Sequence, residues 1–185
     1  MASLSPHHQL PIPRFEAPVR LLVVVSPYYS QIADGLIAGA RQSAVQAGAQ
    51  LELVEVPGAL EIPTAIAMAD RLAPHDGYVA LGCVIRGETT HYDTVCNDSS
   101  RALTLLGLQG LAIGNGILTV ETMAQAEVRA DPQAQNKGGG AAAAALHLIA
   151  LRRRWAAAST AGQTATPAQP DAARIAEQLD GQVTR

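Results

Sequence analysis

From Tyr78 to Ile85 the chain reads Tyr-Val-Ala-Leu-Gly-Cys-Val-Ile, a continuous apolar run rich in β-branched residues. Such a run predicts a strand covered on both faces, as a parallel strand inside an α/β sheet is. It stops abruptly at a polar bend, Arg86-Gly87-Glu88-Thr89-Thr90. Gly87 loosens the backbone there, and Thr89 and Thr90 are candidate N-caps of a helix from about His91 to Leu106. A strand feeding a helix N-terminus aims unpaired N–H groups and the positive end of the helix dipole at one point. That arrangement suits an anion such as phosphate. His91 sits in the first helical turn, next to any group bound there.

The same alternation recurs along the chain. Residues 1–18 carry four prolines and no periodic pattern, which predicts an extended arm, one that can pair with a neighbouring subunit, or a disordered leader. Val19 to Ser26 is a strand, ended by Ser26-Pro27-Tyr28-Tyr29. Gln31 to Ala49 is a helix with Ile32, Leu36, Ile37, Ala40 and Ala44 at helical spacing and Gly48 near its stop. Leu51 to Val56 is a second strand, and Glu61 to Leu72 a second helix with Pro63 tolerated in its first turn. Leu111 to Leu118 holds a short fourth strand broken by Gly114 and Gly116. Glu121 to Ala130 is helical, Asp131-Pro132 interrupts, and Asn136 to Arg154 is a long alanine-rich helix.

Four strands alternating with helices predict an open parallel sheet with helices on both faces, most simply a flavodoxin-like three-layer sandwich. Ligands of such sheets bind beyond the carboxyl ends of the strands, near the switch in strand order. The unusual loops all fall at those ends: Ser26 to Tyr29, Pro57 to Pro63, Cys83 to His91 and Asn115 to Thr119. The length of 185 residues supports one domain, here residues 19–155. After Trp155 the composition turns to Ala, Thr, Gln, Pro and Ser. Residues 156–185 are therefore a low-complexity tail, with a marginal short helix at Asp171 to Leu179.

Composition narrows the function. Apolar residues make up 48% of the chain but aromatic ones only 3%, so the core must be built from Ala, Val, Leu and Ile. A net charge of −3 gives no general electrostatic reason to expect nucleic acid or an anionic membrane as partner. No run is long enough to span a bilayer. Cys83 and Cys96 are too few for a disulfide framework and lack metal-site spacing, which predicts reduced thiols in a cytoplasmic protein. The N-terminus has no pattern of a secretory signal.

With those loops in view, the sequence resembles the lumazine synthase family over about residues 19–155. The blocks that carry the resemblance are Val56-Pro57-Gly58-Ala59-Leu60-Glu61-Ile62-Pro63, Gly82-Cys83-Val84-Ile85-Arg86-Gly87-Glu88-Thr89-Thr90-His91-Tyr92-Asp93, Gly116-Ile117-Leu118-Thr119 and Asn136-Lys137-Gly138. The resemblance implies condensation of 5-amino-6-(D-ribitylamino)uracil with 3,4-dihydroxy-2-butanone 4-phosphate, giving 6,7-dimethyl-8-ribityllumazine, phosphate and water. It implies no metal and no organic cofactor. It also implies pentamers with active sites between adjacent subunits, and riboflavin synthase as a candidate partner. The stretch from Arg129 to Gly138 shows no insertion relative to family members that build sixty-subunit shells, so a shell is expected, with a decamer or pentamer as the alternative.

Position by position, His91 matches the family's proton-transfer histidine, and imidazole, with an ordinary pKa of about 6.5, both gives and takes a proton near neutral pH. Glu88 and Thr89 match the phosphate-binding pair at the bend. Arg129 matches the phosphate-binding arginine, whose planar guanidinium suits a forked grip. Lys137 is a further candidate in the same region, rivalled by a plain surface lysine at a helix start. Tyr28 stands where the family stacks a ring on the pyrimidine. Ala59, Leu60 and Glu61 match the segment that holds the ribityl chain, and Cys83, Val84 and Ile85 the stretch whose backbone reads the pyrimidine edge. Asn115 departs from a position that is often aromatic, and Tyr29 from one that is often polar.

Because the substrate supplies its own amine nucleophile, positioning, worth about 7–11 kcal/mol, should outweigh a single acid–base group, worth roughly 10²–10⁴-fold. Two rivals stand beside this reading. One is a non-catalytic flavin- or pterin-binding or shell-forming paralogue. The other is a hydrolase using Cys83 and His91, which lacks an evident orienting acid.

Overall fold

A computed structural model of the chain describes residues 10–164, with side chains to residue 160. Its strands are β1 (Arg20–Val25), β2 (Gln50–Glu55), β3 (Gly77–Ile85) and β4 (Ile113–Val120). Its helices are α1 (Ser30–Ala47), α2 (Glu61–Leu72), α3 (His91–Leu108), α4 (Met123–Ala130) and α5 (Lys137–Thr164). The strands form one sheet in the order β2-β1-β3-β4, every pair parallel. This is the expected flavodoxin-like winding, and its switch in strand order lies between β1 and β3.

Strand alternation divides the core into two layers. Leu21, Val23 and Val25 of β1 and Val79, Leu81 and Cys83 of β3 face α1, α4 and α5. Leu22 and Val24 of β1 and Tyr78 and Ala80 of β3 face α2 and α3 through Ile62, Ile66, Val95 and Leu103. Both faces of β1 and β3 are therefore covered, which is why these two strands read as unbroken apolar runs. At the amino end of the sheet the buried Tyr78 hydroxyl donates to Asp70 Oδ1 at 3.0 Å, and His75 Nε2 meets Glu52 Oε2 at 3.0 Å.

Helix α1 stops where expected, with Gly48 at φ 70°, the left-handed conformation that glycine adopts without cost. Other boundaries differ from the sequence reading. The fourth strand is not broken at its glycines: β4 runs through Gly114 and Gly116 as eight continuous residues. They are glycines because helix α5 lies directly on the strand; a Cβ at Gly114 would overlap the Ala141 carbonyl oxygen, and one at Gly116 would stand 2.9 Å from Ala141 Cβ. Close helix–strand approach, not turning, explains them.

Helix α4 begins at Met123 rather than Glu121, because Thr122 is its N-cap and accepts from Gln125 N at 3.3 Å. Helix α5 is entered through Asn136 at φ 45°, whose Oδ1 accepts from Gly139 N at 3.0 Å. It continues past Trp155 to Thr164, into the stretch the composition marks as linker. Alanine is the strongest helix former, so the run 156–158 extends the helix. The compact body ends at Leu151, and from Arg152 the described chain is the remainder of α5. Residues 10–19 form neither helix nor strand, with Ile12 and Phe15 packed against the core. Residues 1–9 of the expected arm and the helix expected at Asp171 to Leu179 lie outside the described residues.

Candidate active site

The site begins where β1 runs out. Strand β1 pairs with β3 only as far as Val25 and Leu81, after which Ser26 N donates to Leu81 O at 3.0 Å. Pro27 follows, and without an N–H it cannot continue the ladder. Strand β3 goes on to Ile85, held on its other side by β4 through Val120. The β1-facing edge of Cys83, Val84 and Ile85 is thus left without a strand beside it, and main-chain groups there can pair with a planar ligand.

A cleft of about 480 Å³ opens at this point, at the carboxyl end of the switch between β1 and β3. Its walls include Tyr28 and Tyr29 after β1, Gly58 to Glu61 at the start of α2, Cys83 to Ile85 of β3, and Gly87, Thr89, His91 and Tyr92 at the bend and start of α3. Of the residues singled out in the sequence, Tyr28, Ala59, Leu60, Glu61, Cys83, Val84, Ile85, Thr89 and His91 meet here. Glu88 occupies the same bend but its side chain is exposed and does not line the cleft.

The Tyr28 and Tyr29 rings meet edge to face, centroids 5.1 Å apart at 73°, so the half-buried Tyr29 backs the exposed Tyr28. Burial, then the neighbouring Tyr28, pushes the Tyr29 hydroxyl above its ordinary pKa. Burial alone pushes the Cys83 thiol up to about 11, which keeps it protonated at neutral pH. A thiol so held is not an activated nucleophile, and this disfavours the Cys83–His91 hydrolase.

The start of α3 differs from the expected cap. Thr90 is the N-cap residue but makes no side-chain cap bond, and the Thr89 hydroxyl receives only a long 3.4 Å bond from His91 N. At the start of α3, His91 N has only that long bond and Asp93 N donates to Thr90 O at 3.0 Å, so the helix start is weakly capped, a condition that suits an anion.

The remaining candidates lie elsewhere in the chain. Asn115, Arg129 and Lys137 line a second depression of about 420 Å³, along the outer edge of β4 with Gly140, Ala141 and Ala144 of α5. The two hollows differ in charge. The cleft contains Glu61 and neither lysine nor arginine, whereas the depression contains Arg129 and Lys137 and no carboxylate. Arg129 Nη1 donates to Gln125 O at 3.0 Å, and Asn115 Oδ1 accepts from Ile117 N at 3.0 Å. Among the described residues no group of three or more His, Cys, Asp or Glu could hold a metal ion, and no helix is long and apolar enough to cross a membrane.

Sequence reasoning missed Ser26, Tyr92 and Val95 as cleft residues. Ser26 and Tyr92 adjoin singled-out positions and were within reach. Val95, one turn beyond His91 on the same helix face, is a buried apolar residue that carries no separate signal in the sequence.

These features define an α/β protein with a cleft at the switch point of a parallel sheet, walled by two tyrosine rings, the free end of β3 and the start of a helix. The model of the 6,7-dimethyl-8-ribityllumazine synthase family matches residues 18–153. Similar proteins named 6,7-dimethyl-8-ribityllumazine synthase include one from Jannaschia sp. (strain CCS1), 56% identical over 81% of this chain and 84% of its own length. Another, from Novosphingobium aromaticivorans, is 54% identical over 74% of this chain and 98% of its own length. A third, from Methylorubrum populi, is 57% identical over 74% of this chain and 85% of its own length. The chain belongs to the 6,7-dimethyl-8-ribityllumazine synthase family. The activity in that name is a transferase step of riboflavin biosynthesis.

Proposed function

We propose that the chain condenses 5-amino-6-(D-ribitylamino)uracil with 3,4-dihydroxy-2-butanone 4-phosphate to 6,7-dimethyl-8-ribityllumazine, releasing phosphate and water, in a site built from two copies. The observation that carries the reading is the convergence of Tyr28, residues 59–61, residues 83–85, Thr89 and His91 on one cleft at the switch point. The pyrimidine lies against the Tyr28 ring, with its polar edge on the free main-chain edge of Cys83 to Ile85. The ribityl hydroxyls meet the main chain of Ala59 and Leu60 and the Glu61 carboxylate. The phosphate group sits at the bend, on N–H groups of residues 87–89 and the Thr89 hydroxyl, with the Glu88 carboxylate turned away.

His91, beside that phosphate, moves the protons that amine addition and phosphate loss require. Holding the two substrates together supplies most of the acceleration, about 7–11 kcal/mol when the geometry is good. The cleft contains no lysine or arginine, so a phosphate bound there needs a cation from outside. Arg129, with Lys137 beside it, supplies that cation from an adjacent copy whose β4 edge closes the cleft, and Asn115 faces the ring from the same side. A homo-oligomer of pentamers, extended to a sixty-subunit shell, is the assembly this sharing suits.

Mixing the purified protein with both substrates should produce the fluorescent lumazine and one phosphate per product. Absence of product from folded, assembled protein would favour the non-catalytic paralogue. Sharing is tested by reassembling His91→Ala chains with Arg129→Ala chains. Mixed assemblies contain some sites with both native residues and should show more activity than either parent; no gain would place both residues of a site in one chain.

A further inference from the structure

Arg86, which ends the β3 run, has no part in the steps above, yet every nitrogen of its guanidinium is engaged. Nε donates to Glu121 Oε2 at 2.9 Å and Oε1 at 3.3 Å, while Nη2 and Nη1 donate to Asp93 Oδ1 and Oδ2 at 3.1 and 3.3 Å. The guanidinium carbon lies 4.0 Å from the centroid of the Tyr92 ring, which lines the cleft. Its main-chain N–H donates to Val120 O at 3.0 Å, anchoring the residue to the last rung of the sheet.

The bend it encloses has little else to hold it. Residues 87–91 are exposed, a Cβ at Gly87 would meet nothing within 4 Å, and α3 starts without a side-chain cap. The forked Arg86–Asp93 pair closes residues 86–93 into a ring and fixes where Thr89 and His91 stand. The Arg86–Glu121 pair reaches a second segment. Glu121 N donates to Gln125 Oε1 at 2.9 Å, and Gln125 O accepts from Arg129 Nη1 at 3.0 Å.

We propose that Arg86 is a positioning residue that clamps the phosphate-binding bend of its own cleft and, through Glu121 and Gln125, sets the arginine that the chain lends to its neighbour. The clamp rests on the reading that the bend holds the phosphate group. Two carboxylates neutralise the guanidinium, so it acts by bridging and not as a phosphate ligand. The two roles predict opposite signs for loss of a carboxylate: a bridge is weakened by Asp93→Asn or Glu121→Gln, whereas a phosphate ligand would be released by them.

The test compares full-length wild type with Arg86→Lys, Arg86→Gln, Asp93→Asn and Glu121→Gln. Readouts are kcat and KM for each substrate, calorimetric binding of inorganic phosphate, melting midpoint and assembly size. Arg86→Gln should lower kcat/KM for the phosphate substrate about 10- to 100-fold, as expected when reacting groups drift by an ångström. Arg86→Lys should not rescue it, because an ammonium cannot fork to two carboxylates and lie flat on a ring. Asp93→Asn and Glu121→Gln should also weaken phosphate binding, with KM for the pyrimidine substrate unchanged. Tighter phosphate binding in either carboxylate variant, full rescue by lysine, or lower melting midpoints with both KM values unchanged would each overturn the clamp. Because phosphate binding is read without turnover, wild type that bound phosphate yet made no lumazine would overturn the proposed function and leave the clamp to be decided by the variants.

Discussion

Replacement of Gly114 by alanine tests how tightly α5 is seated on the edge strand. The added Cβ would overlap the Ala141 carbonyl oxygen and lie 2.7 Å from the carbonyl carbon. Both are main-chain atoms in a helix, so no side chain can rotate away. The helix must retreat by on the order of 1 Å, and forced core expansion of this kind costs about 1–3 kcal/mol or more. At about 3 kcal/mol, a chain of this size should melt roughly 6–12 °C lower. The comparison needs equal protein concentration, since assembly contributes to the midpoint.

Gly140→Ala is the internal control on the same helix. A Cβ there meets nothing within 4 Å, so alanine should stabilise by about 0.5–1 kcal/mol. Opposite signs at two glycines near one helix turn are the expected result. A Gly114→Ala midpoint within 2 °C or so of wild type, about the shift of 1 kcal/mol, would refute the close seating.

Three further outcomes follow from the cleft and its neighbour. His91→Ala should slow turnover by roughly 10²-fold without abolishing it, because acid–base help is smaller than positioning; complete loss with folding intact would reverse that ranking. Arg129→Ala should raise KM for the phosphate substrate about 10- to 100-fold while leaving that for the pyrimidine alone, the worth of a charge-assisted hydrogen bond; unchanged KM and rate would remove it from the site. Cys83, with its thiol pushed from 9.0 to about 11, should resist iodoacetamide at pH 8 and turnover should survive the treatment. The folded chain keeps that proton longer than the unfolded one, so this group's contribution is present below pH 9 and lost as pH rises towards 11. Denaturant midpoints that rose over that range would contradict the assigned burial.

The layers of the fold were legible because they depend on near-neighbour patterns. Apolar runs at β1 and β3, helical spacing from Ile32 to Ala44 and the loops at strand ends all report on local sequence. The misreadings arose where a distant residue decides. Gly114 and Gly116 read as strand breakers until Ala141 is seen lying against them. Thr90 reads as a cap, but Arg86 and Asp93 hold the helix start in its place. The site showed the same limit: Tyr28, Glu61, Cys83, Thr89 and His91 are distant in sequence yet meet because parallel strands end on one edge. Asn115, Arg129 and Lys137 sit on the outer side of β4, a separation that motif spacing does not express.

That separation is what one chain of this fold cannot remove. The cleft lies between β1 and β3, and the paired, continuous strand β4 stands between it and the outer edge where Arg129 and Lys137 lie. A cation placed inside the cleft would sit beside Glu61 and would pair with it. In the proposed site the chain avoids this by keeping its positive charge on the far side of an edge strand and its weakly capped helix N-terminus on the near side. An arginine that cannot fold back onto its own carboxylates remains available to a phosphate group held by another copy. The price in such a design is that a lone subunit has half of each site, so diluting the assembly until it separates should lower activity more steeply than in proportion to concentration.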